Sequence, residues 1–171
     1  MKKYEFTGET KEIRLLFRTA TLHRIRATVA FGIVEVGDLG GWIEKEENLS
    51  HEGKAWVCGD AKVCGDAKVC GNAEVCGDAK VWGNAEVFSA SHVLVIGAIG
   101  SRNDFTTFYR DKDNEITVKC GCFLGKIDRF LEKVTQTHGD SKYALVYRAA
   151  VEVAKLQIDL SGEAPKDADE E

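Results

Sequence analysis

The chain has 171 residues, 44% of them hydrophobic, with a formal net charge of −5 and a pI near 5.5. That suits one domain or two small ones, and the acidic balance excludes a protein whose main work is gripping phosphate backbones through a broad basic face. No apolar run approaches the ~18 residues of a membrane span, and the opening MKKYEFTGETKEIRLLF lacks the unbroken apolar segment and cleavage site of a signal peptide. A cytoplasmic protein with no membrane partner is expected.

Residues 1–34 form an N-terminal unit with two predicted strands, 3–6 and 22–29, and a turn signal in Thr7-Gly-Glu-Thr10. Residues 36–50, VGDLGGWIEKEENLS, lead into the next unit, with Trp42 and Ile43 as anchors. Residues 57–86 then read VCGDAK VCGDAK VCGNAE VCGDAK VWGNAE. Valine recurs every six residues at Val57, Val63, Val69, Val75, Val81, Val87 and Val93, and Ala55, Ala61, Ala67, Ala73, Ala79 and Ala85 precede the first six by two. In extended chain, residues two apart share a face, so Ala and Val point inward together, and Gly-Asp or Gly-Asn supplies each corner.

Strands this short, each followed by a corner, predict a three-sided coil stacked on itself, with residues 18 apart in register. The expected class is mainly β: a short parallel β-helix over 35–99, N-terminal strands over 1–34 and a C-terminal α/β module over 100–160. The outward columns would be Cys58 under Cys76, Cys64 under Trp82, and Cys70 under Phe88. Cys64, Trp82, Cys70 and Phe88 then offer an association surface for a dimer or trimer. Nothing in the six cysteines implies export, so reduced thiols are the starting expectation. No metal is expected, because thiols on three faces of a prism point apart.

Beyond the repeat, VLVIGAIG is continuously apolar, and SRNDFTTFYR and EITVKCGCFLG read as strands joined by an Asp-Lys-Asp-Asn turn. Two helices follow. The first carries Ile127, Phe130, Leu131 and Val134 at helical spacing, and the second Leu145, Ala149, Val153 and Leu156. The acidic residues 161–171 are expected to be disordered.

The [LIV]-x-x-x-[small]-x form of the repeat resembles the left-handed β-helix hexapeptide-repeat proteins, and the resemblance implies that handedness. The whole layout resembles a family of bacteriophage and prophage proteins. In that family a KYEFTGETKE-like strand and GDLGGWIEKEENLS precede hexapeptide repeats, and a module with SRND, TTFYR, KCGCF and THGD follows. Those strings stand here at 101–104, 106–110, 119–123 and 137–140. The resemblance implies phage or prophage origin and a target in the host.

Candidate binding residues cluster where the repeat ends: Arg102, Asn103 and Asp104, extended by Thr107, Tyr109, Arg110 and Lys119, with His138 nearby by sequence. Polar residues at such a seam either hold a ligand or satisfy backbone groups of the last turn. No catalytic residue and no cofactor is assigned. The expected function is a non-enzymatic binding protein that engages a host protein or protein–nucleic-acid complex, inhibiting a defence system in the anti-CRISPR manner. The alternatives are a protein that sequesters a small molecule or nucleotide, or a hexapeptide-repeat acyltransferase using His51 or His92 as base.

Overall fold

Two long N-terminal strands set the frame. The computed structural model describes residues 1–163, and in it β1 (Tyr4–Arg14) and β2 (Thr19–Ala27) pair antiparallel, from Tyr4 opposite Ala27 to Arg14 opposite Thr19. The Thr-Gly-Glu-Thr stretch is therefore inside a strand. Gly8 takes a φ of 92° at a register shift between Phe6 and Thr10, so the glycine makes a bulge where a turn was expected. The chain reverses at residues 15–18, closed by Leu15 N–H donating to the Arg18 carbonyl at 2.7 Å.

β3 (Leu39–Ile43) joins β2 antiparallel and carries the sheet into the repeat, where six strands of two residues each follow. They are β4 (Trp56–Val57), β5 (Lys62–Val63), β6 (Lys68–Val69), β7 (Glu74–Val75), β8 (Lys80–Val81) and β9 (Glu86–Val87). β4 pairs β7, β5 pairs β8 and β6 pairs β9, each parallel and 18 residues apart. The six alanines and the first six valines of the period are all buried, with Tyr4, Ile25, Ile43, Leu49 and Tyr109 in the same core. At ~1.5–3 kcal/mol for each fully buried valine, this interior is a principal source of stability. Its corners need glycine: Gly71 has a φ of 62°, and a Cβ there would lie 2.7 Å from the Phe88 carbonyl oxygen.

The second part is an antiparallel sheet of β10 (Val93–Ile99), β11 (Asp104–Arg110), β12 (Ile116–Cys120) and β13 (Phe123–Lys126), followed by α1 (Ile127–His138) and α2 (Lys142–Gln157). The sheet begins at Val93, so the seventh valine of the period belongs to it, and β10 ends at Ile99, where the C-terminal module was expected to start. Phe108 and Val118 pack with Ile127, Phe130, Val134, Tyr147 and Val151 of the helices in a second core.

The expected fold class, a short left-handed parallel β-helix with N-terminal strands and a C-terminal α/β module, is corrected by this pairing. The structure is mainly β, with several small sheets and two C-terminal helices. Its two larger sheets are a mixed one, β1-β2-β3-β5-β8, and the antiparallel β10-β11-β12-β13. The physical reason is strand length. Each repeat offers two residues between corners and so only a minimal parallel ladder, while flanking strands of up to 11 residues supply the extended antiparallel hydrogen bonding.

Three further expectations change. The second helix buries Ala144, Tyr147, Ala150, Val151 and Ala154 and turns the Leu145, Ala149, Val153 and Leu156 face outward. Cys58 and Cys76, stacked 18 residues apart with Cα atoms at 4.6 Å, form a disulfide, against the reduced state expected. The segment 161–171, expected to be disordered, is described as far as residue 163, and the Ser161 and Gly162 carbonyls accept hydrogen bonds from Arg110. The rest of that segment lies outside the described residues. Among the described residues no helix is long and apolar enough to cross a membrane.

Lys3 gives the fold a pH signature. It is only 2% exposed and donates to the Ala55 carbonyl at 2.7 Å. Burial depresses its pKa from 10.5 to about 8, against a smaller opposing pull from Glu52. The unfolded chain therefore holds more protons between about pH 8 and 10.5, and this residue's contribution to stability rises with pH through that window. Comparing urea unfolding of wild type and Lys3→Met across that range isolates Lys3 from the tyrosines and thiols. Wild type is expected to gain on the order of 3 kcal/mol relative to the variant, and a flat difference would contradict the burial assignment.

Candidate functional site

The tip of the β1–β2 hairpin stands over the Cys64/Trp82 column of the repeat, facing the turn between β12 and β13. Between them lies a cleft of about 940 Å³. The tip contributes Arg14, Leu16, Phe17 and Arg18, the floor Cys64, Lys80 and Trp82, and the far wall Lys119, Cys122 and Leu124. Four basic side chains line it against one carboxylate, Asp66, which is itself paired with Lys45 at 3.1 Å. On a chain of net charge −5 this is a local reversal of sign.

Each basic group is held differently. Arg18 makes a two-pronged ion pair with Glu44, whose Oε2 also accepts the Gly65 N–H at 2.8 Å. The guanidinium, opposed by partial burial and helped by the Gly65 bond, holds that carboxyl below its usual range. Lys119 is only 5% exposed; its ammonium donates to the Gly121 carbonyl and lies 4.3 Å from the centre of the Trp82 ring. Burial depresses its pKa first, and the neighbouring Lys80 ammonium adds to the effect. Among the described residues neither Lys119, Lys80 nor Arg14 has a carboxylate within ion-pair distance.

Magnitudes show why this matters. Burying an ammonium costs several kcal/mol even after relaxation. One charged hydrogen bond returns about 1.5–3 kcal/mol and a desolvated cation–π contact about 2 kcal/mol. These contacts roughly match that cost but leave two neighbouring ammonium groups, Lys80 and Lys119, without an anion, which a ligand in the cleft would supply. The Trp82 indole N–H, buried without a hydrogen-bond partner in the same floor, adds an unused donor. Leu16 and Phe17 stand at the rim, and Phe17 is 94% exposed.

The sequence-predicted residues divide. Lys119 lines the cleft. Arg102 and His138 line a separate pocket of about 140 Å³ with Cys120, Cys122 and Tyr147, and the His138 ring stacks on Tyr147 at 5.8 Å. Asn103, a turn residue with a φ of 50°, and Asp104, the first residue of β11, whose carboxylate accepts the Phe105 N–H, are both exposed. Thr107, Tyr109 and Arg110 are buried and structural: Thr107 Oγ1 accepts the Lys80 N–H at 3.0 Å, and the Tyr109 hydroxyl donates to the Trp82 carbonyl at 2.7 Å.

The proposed association columns are partly covered from within the chain. Cys64 is buried against Leu22 and Trp42, and burial pushes its thiol pKa up to about 12. Trp82 lies under Lys119, Phe88 lies under the Arg110 guanidinium at 4.8 Å and beside His92, and Cys70 is half-buried. His51 and His92, the two bases considered for acyl transfer, accept the Lys3 and Phe88 backbone N–H groups, and neither lines the cleft.

Sequence reasoning missed Arg14, Leu16, Phe17, Arg18 and Lys80. A signal was there in Arg14-Leu-Leu-Phe-Arg18, where large apolar residues sit between two arginines. Searches against protein-family models and curated proteins give no match for the chain.

Proposed function

We propose that the chain is a non-enzymatic binding protein that seats an acidic segment of a macromolecular partner in the cleft between the hairpin tip and the β12–β13 turn. The observation that carries this reading is Lys119, a buried ammonium without a carboxylate partner among the described residues, at the wall of a cleft shared with Lys80 and Arg14. Phe17 and Leu16 supply the apolar anchor that a macromolecular interface uses beside its charges. The resemblance to phage and prophage proteins supports a host target, reached in the host cytoplasm. It also supports inhibition of a defence component in the anti-CRISPR manner, by occupying a surface that otherwise takes nucleic acid or protein.

A nucleotide-sized ligand is a second reading, favoured by the juxtaposition of Lys80, Lys119 and the Trp82 ring in a cleft whose volume falls in the small-molecule range. Phe17→Glu separates the two. The side chain is almost fully exposed, so the fold is unaffected, and macromolecular binding should weaken by about 2 kcal/mol, roughly 30-fold, in a titration against the captured partner. Unchanged affinity for a protein partner would remove the hairpin tip from the interface. Undiminished binding of a nucleoside triphosphate by the same variant, measured calorimetrically, would favour the second reading.

A further inference from the structure

The second helix is packed against expectation: Ala144, Ala150 and Ala154 face the core beside Tyr147 and Val151, while Leu145, Val153 and Leu156 face solvent. Leu145 is 59% exposed, Val153 48% and Leu156 89%. With Ala149 they follow i, i+4, i+8, i+11 spacing and so form one line along the helix. Soluble chains place single apolar residues at the surface without consequence, but a continuous line of them marks association.

The line is self-complementary. A two-fold axis level with Ala150 and Val151 sets Leu145 opposite the partner's Leu156 and brings Ala149 within one residue of direct register with the partner's Val153. The same axis sets Lys142, at the start of the helix, opposite the partner's Asp159, just past its end. Apolar pairs and opposite-charge pairs thus share one centre, as an isologous interface requires. Parallel association would put Lys142 on Lys142 and Glu152 on Glu152. Ala149, next to the axis, permits close approach of the two helices.

We infer that the chain forms a homodimer through antiparallel packing of α2 against α2, with the Leu145, Ala149, Val153 and Leu156 line at its centre and Lys142–Asp159 pairs at its ends. This interface is distinct from the partly covered Cys64, Trp82, Cys70 and Phe88 columns.

Light scattering on the full-length protein after size-exclusion chromatography tests it. Wild type is expected at twice the 18.8 kDa chain mass. Leu156→Glu, a change at a nearly fully exposed position, should give the mass of one chain with an unchanged circular dichroism spectrum. Lys142→Glu and Asp159→Lys should each weaken the dimer about tenfold or more, and the double variant should restore it. Wild type at the mass of one chain, or an unchanged dimer in Leu156→Glu, would overturn the proposal; a double variant no better than the single ones would overturn its antiparallel register.

Discussion

Arg110→Ala is expected to cost about 3 kcal/mol of folding free energy through lost charge-assisted hydrogen bonds, which for a chain of this size is a fall of roughly 10 °C in Tm. The guanidinium is buried and pairs with backbone and amide oxygens. It donates at 2.6 Å to both the Ser161 and Gly162 carbonyls, and through Nε to Asn114 at 3.2 Å, while its plane lies 4.8 Å from the centre of the Phe88 ring. It therefore ties the segment after α2 to the β11–β12 turn and to the end of the repeat. Truncation removes these charge-assisted hydrogen bonds, each worth about 1.5–3 kcal/mol at most, while the acceptors, which belong to exposed residues, turn to water. Chemical unfolding of the variant measures the loss directly. A stable Arg110→Ala protein that fails only in binding would restore Arg110 to the functional residues from which its burial removes it.

Lys119→Met should behave in the opposite way. The substitution keeps an unbranched side chain of similar reach and removes a desolvated charge, so stability is expected to hold or rise. Binding of the acidic partner is expected to fall by 2–5 kcal/mol, about 30-fold to several thousand-fold, because the partner's anionic group would then be buried without its cation. The two variants together separate structure from function at positions nine residues apart that the sequence placed in one candidate surface. Paired unfolding and binding titrations make the comparison. Parallel losses of stability and affinity in Lys119→Met would contradict the assignment of a functional cation.

Much of the interior was legible in the sequence, because the alanine and valine positions of the period are defined by burial alone and all but Val93 are buried. The glycine corners, the β11–β12 hairpin and the two helices were legible for similarly local reasons. The fold class was not. A six-residue period specifies which side chains point inward, but the extended pairing is settled by flanking strands whose partners lie far along the chain. The second helix misled because its strongest hydrophobic stripe is the one turned to solvent, while its buried face is made largely of alanine.

The candidate site was only partly legible, and for a definite reason. β11 is covered on both sides, by the repeat core at Tyr109 and by the helices at Phe108, so Thr107, Tyr109 and Arg110 look polar in sequence yet are enclosed. The cleft draws on residues 14–18, 64–66, 80–83 and 119–124. No local pattern joins those segments. Lys119 stands out for its place on a strand near the seam, whereas its partners Lys80 and Trp82 read as repeat positions, and Arg14 and Arg18 fall between the two predicted N-terminal strands.

The measurement that bears most directly on the proposed function is quantitative capture from a bacterial host lysate, with wild type and Lys119→Met immobilised side by side and the bound proteins counted by mass spectrometry. A partner recovered by wild type at a fixed stoichiometry, released by raised salt and lost by a fully folded Lys119→Met, is the predicted result. The same partner held equally by both proteins would contradict the claim that this cleft is the working surface.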